Sequence, residues 1–257
     1  MLLTQSIAEK ALAALPGDIG LYVKDTATGE TVAVNAAKSV EAASVIKLWV
    51  MAEAFRQREA GLLSFEEPVA IRPEDRLPSC GAISYLHEGI VLPVGDLITL
   101  MIILSDNTAT NLLIDRLGMD AIRAEIRRQG MRGTFLRRKL FQPELARQGI
   151  INEVSAEDCA VFLERLRLGQ LVSPAADREM LRVLGDQRLN GKLPFHLHSR
   201  DIACAHKTGE DDGITHDVGI IHAASDRIFC FVSQGTEVPR AERCLQDLAA
   251  LAADIMI

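Results

Sequence analysis

Aromatic side chains are scarce. One Trp, two Tyr and eight Phe make up 4% of 257 residues, so any core must rest on Leu, Ile, Val, Ala and Met. No stretch reaches the roughly 18 uninterrupted apolar residues of a membrane span. The first ten residues lack a basic leader region, and Glu9 and Lys10 break their apolar run. They read as an amphipathic helix, not a secretory signal. The expectation is a cytoplasmic protein, or a periplasmic or secreted one if a leader has been removed. Cysteine is limited to an odd set of five without a C-x-x-C pair, which predicts buried small hydrophobes in a reducing compartment. There is no repeat, no low-complexity tract and no excess of basic charge. The formal charge of −7 argues against a nucleic-acid partner, because phosphate binding needs clustered Lys and Arg. Arg123, Arg127 and Arg128 do cluster, but Asp120 and Glu125 interleave with them, the pattern of a solvated helix face. HExxH and GxSxG are absent. His196-Leu197-His198 has no acid or cysteine at metal-ligand spacing, so no metal site is expected.

What is present is an ordered succession of short periodic segments. An opening helix is followed by strands at Ile19–Asp25 and Thr31–Asn35, joined through Thr28-Gly29 as a hairpin. From Ser44 to about Glu59 the apolar spacing becomes helical, with Leu48, Met51, Ala52 and Phe55 in register. The stretch 60–199 is mostly helical, with Asp96, Ser155 and Ser173 as helix-starting residues. Three strands then follow at Ile202–Thr208, His216–Ala223 and Ile228–Ser233, and a terminal helix at Pro239–Ile257. Five short strands share a core most simply as one antiparallel sheet flanked by the terminal helices, with a helical region inserted between strands two and three. The expected fold class is therefore α/β in the α+β sense. It forms a single domain over 1–257, with an α/β part at 1–43 plus 200–257 and a helical part at 44–199.

Three motifs carry chemistry. Ser44-Val45-Ile46-Lys47 is an S-x-x-K tetrad at a helix start. A serine hydroxyl is a weak nucleophile until a base takes its proton, and on a helix the Lys47 amine shares a face with Ser44. The helix N-terminus would also favour a developing oxyanion. In Ser105-Asp106-Asn107 a second hydroxyl can relay protons, and the Asn107 amide can both donate and accept; the same triplet would also cap a helix. Lys207-Thr208-Gly209 ends a strand, offering a fixed cation, a hydroxyl that can orient a carboxylate, and a glycine that permits close approach. Taken singly the motifs are weak: a chain of this length carries about one S-x-x-K by chance, and Ser-Asp-Asn arises in roughly a few per cent of such chains. All three in this order and these contexts arise by chance in roughly one chain in a thousand.

The set resembles that of the class A β-lactamase-like serine hydrolases, the penicillin-recognising enzymes. Supporting segments are Glu41-Ala42-Ala43, the run Thr108 to Asn111 with Leu117-Gly118, and His206 before Lys207. The resemblance implies a β-lactam or acyl-D-alanyl substrate, a covalent acyl-Ser44 intermediate, and neither metal nor organic cofactor. It makes Lys47 the activator, Ser105 the proton relay and Asn107 the ligand of the substrate's side-chain amide. Lys207 and Thr208 would hold its carboxylate, and the backbone N–H groups of Ser44 and Glu210, the residue after Gly209, would form the oxyanion hole.

The resemblance breaks in one loop. Class A enzymes place there a glutamate that activates the deacylating water. With Arg138 as the arginine that pins the loop, that position falls on Leu140, or on Gln142 after a two-residue slip. Neither accepts a proton. Glu144 is the one carboxylate of the stretch and the candidate base, or else the partner of Arg137, Arg138 or Arg147. Glu210-Asp211-Asp212 beside the expected carboxylate site would weaken its positive field unless these acids face solvent. The leading expectation is a β-lactamase. The alternatives are a D,D-peptidase or esterase using the same serine, and a β-lactam-binding sensor domain that stays acylated.

Overall fold

The computed structural model describes residues 1–78 and 80–256. A first helix, α1 (Gln5–Ala13), is capped by the Thr4 hydroxyl, and the hairpin β1 (Asp18–Asp25) and β2 (Thr31–Val34) follows. After a two-residue strand, β3 (Val40–Glu41), a 3-10 turn over Ala43–Ile46 runs into α2 (Lys47–Glu59). The inserted region holds a small ribbon, β4 (Pro68–Ala70) with β5 (Val91–Pro93), then α3 (Val94–Ile103), α4 (Asn107–Leu117), α5 (Met119–Arg128) and the short α6 (Pro143–Arg147). Next come β6 (Glu153–Val154), which pairs with β3, then α7 (Ala156–Arg167) and α8 (Pro174–Gly185). The chain ends with β7 (Ala203–Asp211), β8 (Ile214–His222), β9 (Asp226–Gln234) and α9 (Val238–Ala252). The terminal helix was expected through Ile257, which lies outside the described residues; α9 stops at Ala252.

The sheet is five-stranded and antiparallel, in the order β2-β1-β9-β8-β7. Strand periodicity assigns its two faces. Along β9, Phe229 and Phe231 turn toward α1 and α9 with Leu12, Leu245 and Leu248, while Ile228, Cys230 and Val232 turn toward the helical region with Trp49 and Phe162. Both faces are covered, so β9 is a continuous apolar run instead of an alternating one. Strand β7 is an outer strand, and the 3-10 turn that carries Ser44 packs against it. This brings the first and last motifs together although 163 positions separate Ser44 from Lys207.

Three local expectations are corrected. Pro93, not Asp96, stands at the N-cap of α3, because the fixed φ of proline (−68°) delivers an extended residue there. Glu125 does not lie on a solvated face. It is fully buried and takes ion pairs from Arg56 (2.6 Å) and Arg128, which replaces its lost hydration. The cysteines are not uniformly buried: Cys159 and Cys230 are, Cys204 and Cys244 are half-buried, and Cys80 is exposed.

Candidate active site

Ser44 sits in the 3-10 turn rather than in the first turn of an α-helix. The consequence is geometric. With three residues per turn, positions i and i+3 eclipse, so Ser44 and Lys47 are stacked more directly than an α-helix would place them. The Lys47 N–H closes the turn on the Ser44 carbonyl. Ala43, just before Ser44, has φ +40°, and Ser105 has φ +55°. Both are in the left-handed region, where a side chain costs energy that the surrounding packing must offset.

Lys47 is wholly buried. Its Nζ lies 2.6 Å from the Ser105 carbonyl, 2.8 Å from Asn107 Oδ1 and 3.0 Å from Ser105 Oγ. No hydrogen bond joins it to Ser44 Oγ among the described residues. Burial, and then the positive charge of Lys207, push its pKa well below the ordinary lysine value. A neutral amine keeps two N–H donors and one lone pair. The donors satisfy the Ser105 carbonyl and Asn107 Oδ1, and the lone pair is left to accept a proton from a neighbouring hydroxyl. Lys207, also wholly buried, donates to the same Ser105 Oγ at 3.1 Å and to the Thr208 carbonyl at 2.8 Å. Burial brings its pKa down to about 7, with Asp217 opposing the shift and Lys192 adding to it. One hydroxyl thus bridges two lysines, an arrangement that disfavours both being charged at once.

Asp106 performs the capping role for its triplet. Its Oδ1 accepts the Ala109 N–H at the start of α4, and its Oδ2 accepts the N–H groups of Ala82 and Ile83, stapling that loop beside the site. Ser105 and Asn107 are thereby left to face Lys47. Thr208 and Gly209 are buried on β7. A Cβ on Gly209 would meet the His216 ring at 2.8 Å, so this glycine makes room for a protein side chain on that side. His216 is held as the neutral tautomer, with Nε2 donating to the Glu41 carbonyl (2.8 Å) and Nδ1 accepting the Ser233 N–H (3.0 Å). Its pKa falls to about 4, chiefly through burial.

Ser44, Asn107 and Glu210 line one cavity of about 490 Å³, closed on the far side by the loop of residues 138–146. Arg138 pins that loop through the carbonyls of Lys139 and Ile150 and the Glu41 carboxylate. Asn111 clamps Leu140 by both its N–H (2.9 Å) and its carbonyl (3.0 Å). Leu140, Phe141 and Gln142 face the cavity. Glu144 does not. It is 73% exposed on α6, forms an ion pair with Arg147 at 2.6 Å, and is absent from the cavity wall. The short helix starting at Pro143 rotates it outward, and the candidate base of the sequence reading is corrected to a surface residue.

Three further residues stand at the site that were not singled out for it, although Glu41 belongs to one of the segments that carry the resemblance. Glu41 lines the cavity with its pKa raised, by burial first and then by Asp211. Cys80 lines it too, with Sγ 3.6 Å from Asn107 Nδ2. Lys192 lies behind β7 with its amine on the Gly209 carbonyl at 3.0 Å. Among the described residues no group of three or more His, Cys, Asp or Glu could hold a metal ion, and no helix is long and apolar enough to cross a membrane.

Residues 3–256 match the sequence profile of the beta-lactamase enzyme family. The chain belongs to this family. A solved β-lactamase from Sphaerobacter thermophilus is 29% identical over 97% of each chain, with a TM-score of 0.89. PBP-A is 24% identical over 97% of this chain and 94% of its own, with a TM-score of 0.88. An ancestral class A β-lactamase is 23% identical over 99% of each chain, with a TM-score of 0.88. The latter two likenesses concern the fold alone. As a member of the beta-lactamase family the protein is a hydrolase, and its five-stranded antiparallel sheet with flanking and inserted helices is the family's fold.

Proposed function

We propose that the protein acylates Ser44 with a β-lactam and releases the hydrolysed product slowly. The observation that carries this reading is the Lys47 amine, buried with no carboxylate partner among the described residues and held by Ser105 and Asn107. A lysine kept neutral is a base able to take the Ser44 proton. The proton then passes from Lys47 through Ser105 Oγ, with Lys207 as the second amine on that hydroxyl. Ser44 Oγ attacks the lactam carbonyl, whose oxygen takes the negative charge between the N–H groups of Ser44 and Glu210. The ring nitrogen leaves with the proton relayed by Ser105. Lys207 and Thr208 hold the substrate carboxylate, and Asn107 holds the acyl amide. The β-lactamase from Sphaerobacter thermophilus supports the choice of substrate.

Slow release follows from the loop. Its cavity face presents Leu140, Phe141 and Gln142, none of which takes a proton from water at neutral pH. The same observation favours a second reading, a penicillin-binding sensor or D,D-peptidase in which the acyl-enzyme is long-lived.

Intact mass against time after mixing with a penicillin separates these outcomes. Expected is a rise of one penicillin mass on the wild-type protein, none on Ser44→Ala, and decay slower than formation. Undiminished labelling of Ser44→Ala would refute the assignment.

A further inference from the structure

Lys192 has no part in the mechanism above, yet it is 4% exposed and its amine lies directly behind the proposed oxyanion hole. It comes from the connection between α8 and β7. Its Nζ is 3.0 Å from the Gly209 carbonyl oxygen and 3.5 Å from that of His216. It also meets the Glu210 carboxylate at 3.0 Å and that of Glu242, on α9, at 3.7 Å. Glu242 is held in turn by the Thr215 hydroxyl at 3.1 Å. A buried ammonium with two carboxylates and two carbonyls is fully solvated by protein, so its position is fixed.

The Gly209 carbonyl and the Glu210 N–H belong to one peptide unit. The described chain has no cis peptide bond, so these two groups point in opposite directions across a rigid plane. Lys192 touches carbonyls of both β7 and β8 and therefore lies on the β8 side of β7. The Glu210 N–H leaves β7 on the other side, its free edge, and the turn carrying Ser44 packs against this same strand. A cation on the carbonyl fixes the tilt of the plane and draws electron density from the N–H, making it a stronger donor. The same cation takes up the Glu210 side chain. Without it, an unpaired carboxylate would belong to the very residue whose N–H is meant to bind a negative oxygen.

We propose that Lys192 is a positioning residue for the oxyanion hole, aiming and polarising the Glu210 N–H through the Gly209 carbonyl and neutralising the Glu210 carboxylate behind it. This rests on the acyl-Ser44 reading. It accounts for an acidic side chain at a position where a negative charge would oppose the reaction: the charge is drawn to the rear of the strand.

The test uses the full chain and a penicillin labelled with ¹³C at the lactam carbonyl. Acylation is followed by intact mass, and the ester carbonyl stretch of the acyl-enzyme by infrared difference spectroscopy, which reports hydrogen bonding to that oxygen. Loss of a complete oxyanion donor costs about 10²–10³ in rate, and here the donor is weakened and not removed. Lys192→Met should therefore slow acylation by about 10–100-fold and move the stretch to higher frequency. Adding Glu210→Gln to Lys192→Met should recover about fivefold, a fraction of that loss, because it removes the unpaired carboxylate. A folded Lys192→Met protein with the parental rate and stretch overturns the proposal. If that variant does not fold, Lys192→Gln keeps a donor for Gly209 and loses only the charge; a parental stretch there overturns it equally. A parent protein that never gains the penicillin mass refutes the acyl-Ser44 reading. A parent that acylates while the Lys192 variants match it refutes this inference alone.

Discussion

The proposed mechanism gives Lys47 and Lys207 two different jobs, and pH separates them. Lys47 must be neutral to take a proton, and its burial beside Lys207 sets its pKa well below the ordinary lysine range. Lys207 must be charged to attract a substrate carboxylate, and burial leaves its pKa at about 7. Raising the pH through that value removes a cation from the binding site. The second-order rate of acylation by an anionic penicillin should therefore fall above pH 7. Most of the loss should appear as weaker binding and little as a slower acylation step at saturation. Guanidinium keeps its charge at any accessible pH, so Lys207→Arg should shift this alkaline limb out of range; a limb unchanged in that variant would show that another group titrates. Arginine at Lys47 has the opposite effect. It cannot lose its charge, so Lys47→Arg should slow acylation at least about a hundredfold, the usual contribution of a positioned base. Stopped-flow acylation with a chromogenic cephalosporin measures both.

Among the elements, the 138–146 loop is the one on which turnover of the proposed acyl-enzyme depends. α6 carries Glu144 outward to Arg147, and an exposed ion pair of this kind contributes little to stability. Glu144→Gln should leave both the burst and the steady state of β-lactam hydrolysis within about twofold of the parent, since the charge it removes is solvent-screened. A slowed steady state with an intact burst would restore Glu144 as the base. The contrast with its neighbours shows what could be read in advance. Strands β1, β2, β7, β8 and β9 and the longer helices were legible because a repeating apolar position, summed over a whole element, outweighs any single residue. Ser44, Lys47, Ser105 and Lys207 could be singled out as candidates because their motifs are contiguous. The 3-10 turn was not legible, since its four residues have no periodicity to distinguish it from the first turn of α2. The ribbons β3–β6 and β4–β5 are two or three residues long, below the length at which alternation is a signal. Lys192 and Glu41 are single charged residues whose role depends on tertiary contacts. Glu144 was misplaced because a loop's sequence does not state which way its side chains face.

On the scale of the whole molecule, the sheet is the partition between two hydrophobic clusters. One joins α1, α9 and the segment around Leu193 and Leu197; the other builds the helical region and surrounds the site. The strands belong to both. Phe229 faces one cluster and its neighbours Ile228 and Cys230 the other, so neither half can lose its packing without uncovering the far face of the same strand. This geometry favours a single cooperative unit over two independently folding halves, and Leu245 provides the test. Leu245 is fully buried on α9 in the first cluster, and truncating such a leucine costs about 2–5 kcal/mol. Trp49 is the sole tryptophan of the chain. It is fully buried in the second cluster, with its ring 5.2 Å from that of Phe162, and so reports on the half that Leu245 does not touch. Cooperative unfolding requires that Leu245→Ala lower the urea midpoint of Trp49 fluorescence and of far-ultraviolet circular dichroism by the same amount. Ser44 should still acylate at close to the parental rate in the absence of urea, because Lys47, Ser105 and Lys207 keep their contacts. A fluorescence midpoint that stays in place while the dichroism transition splits would show the two clusters unfolding separately, with the sheet melting from its α9 face first.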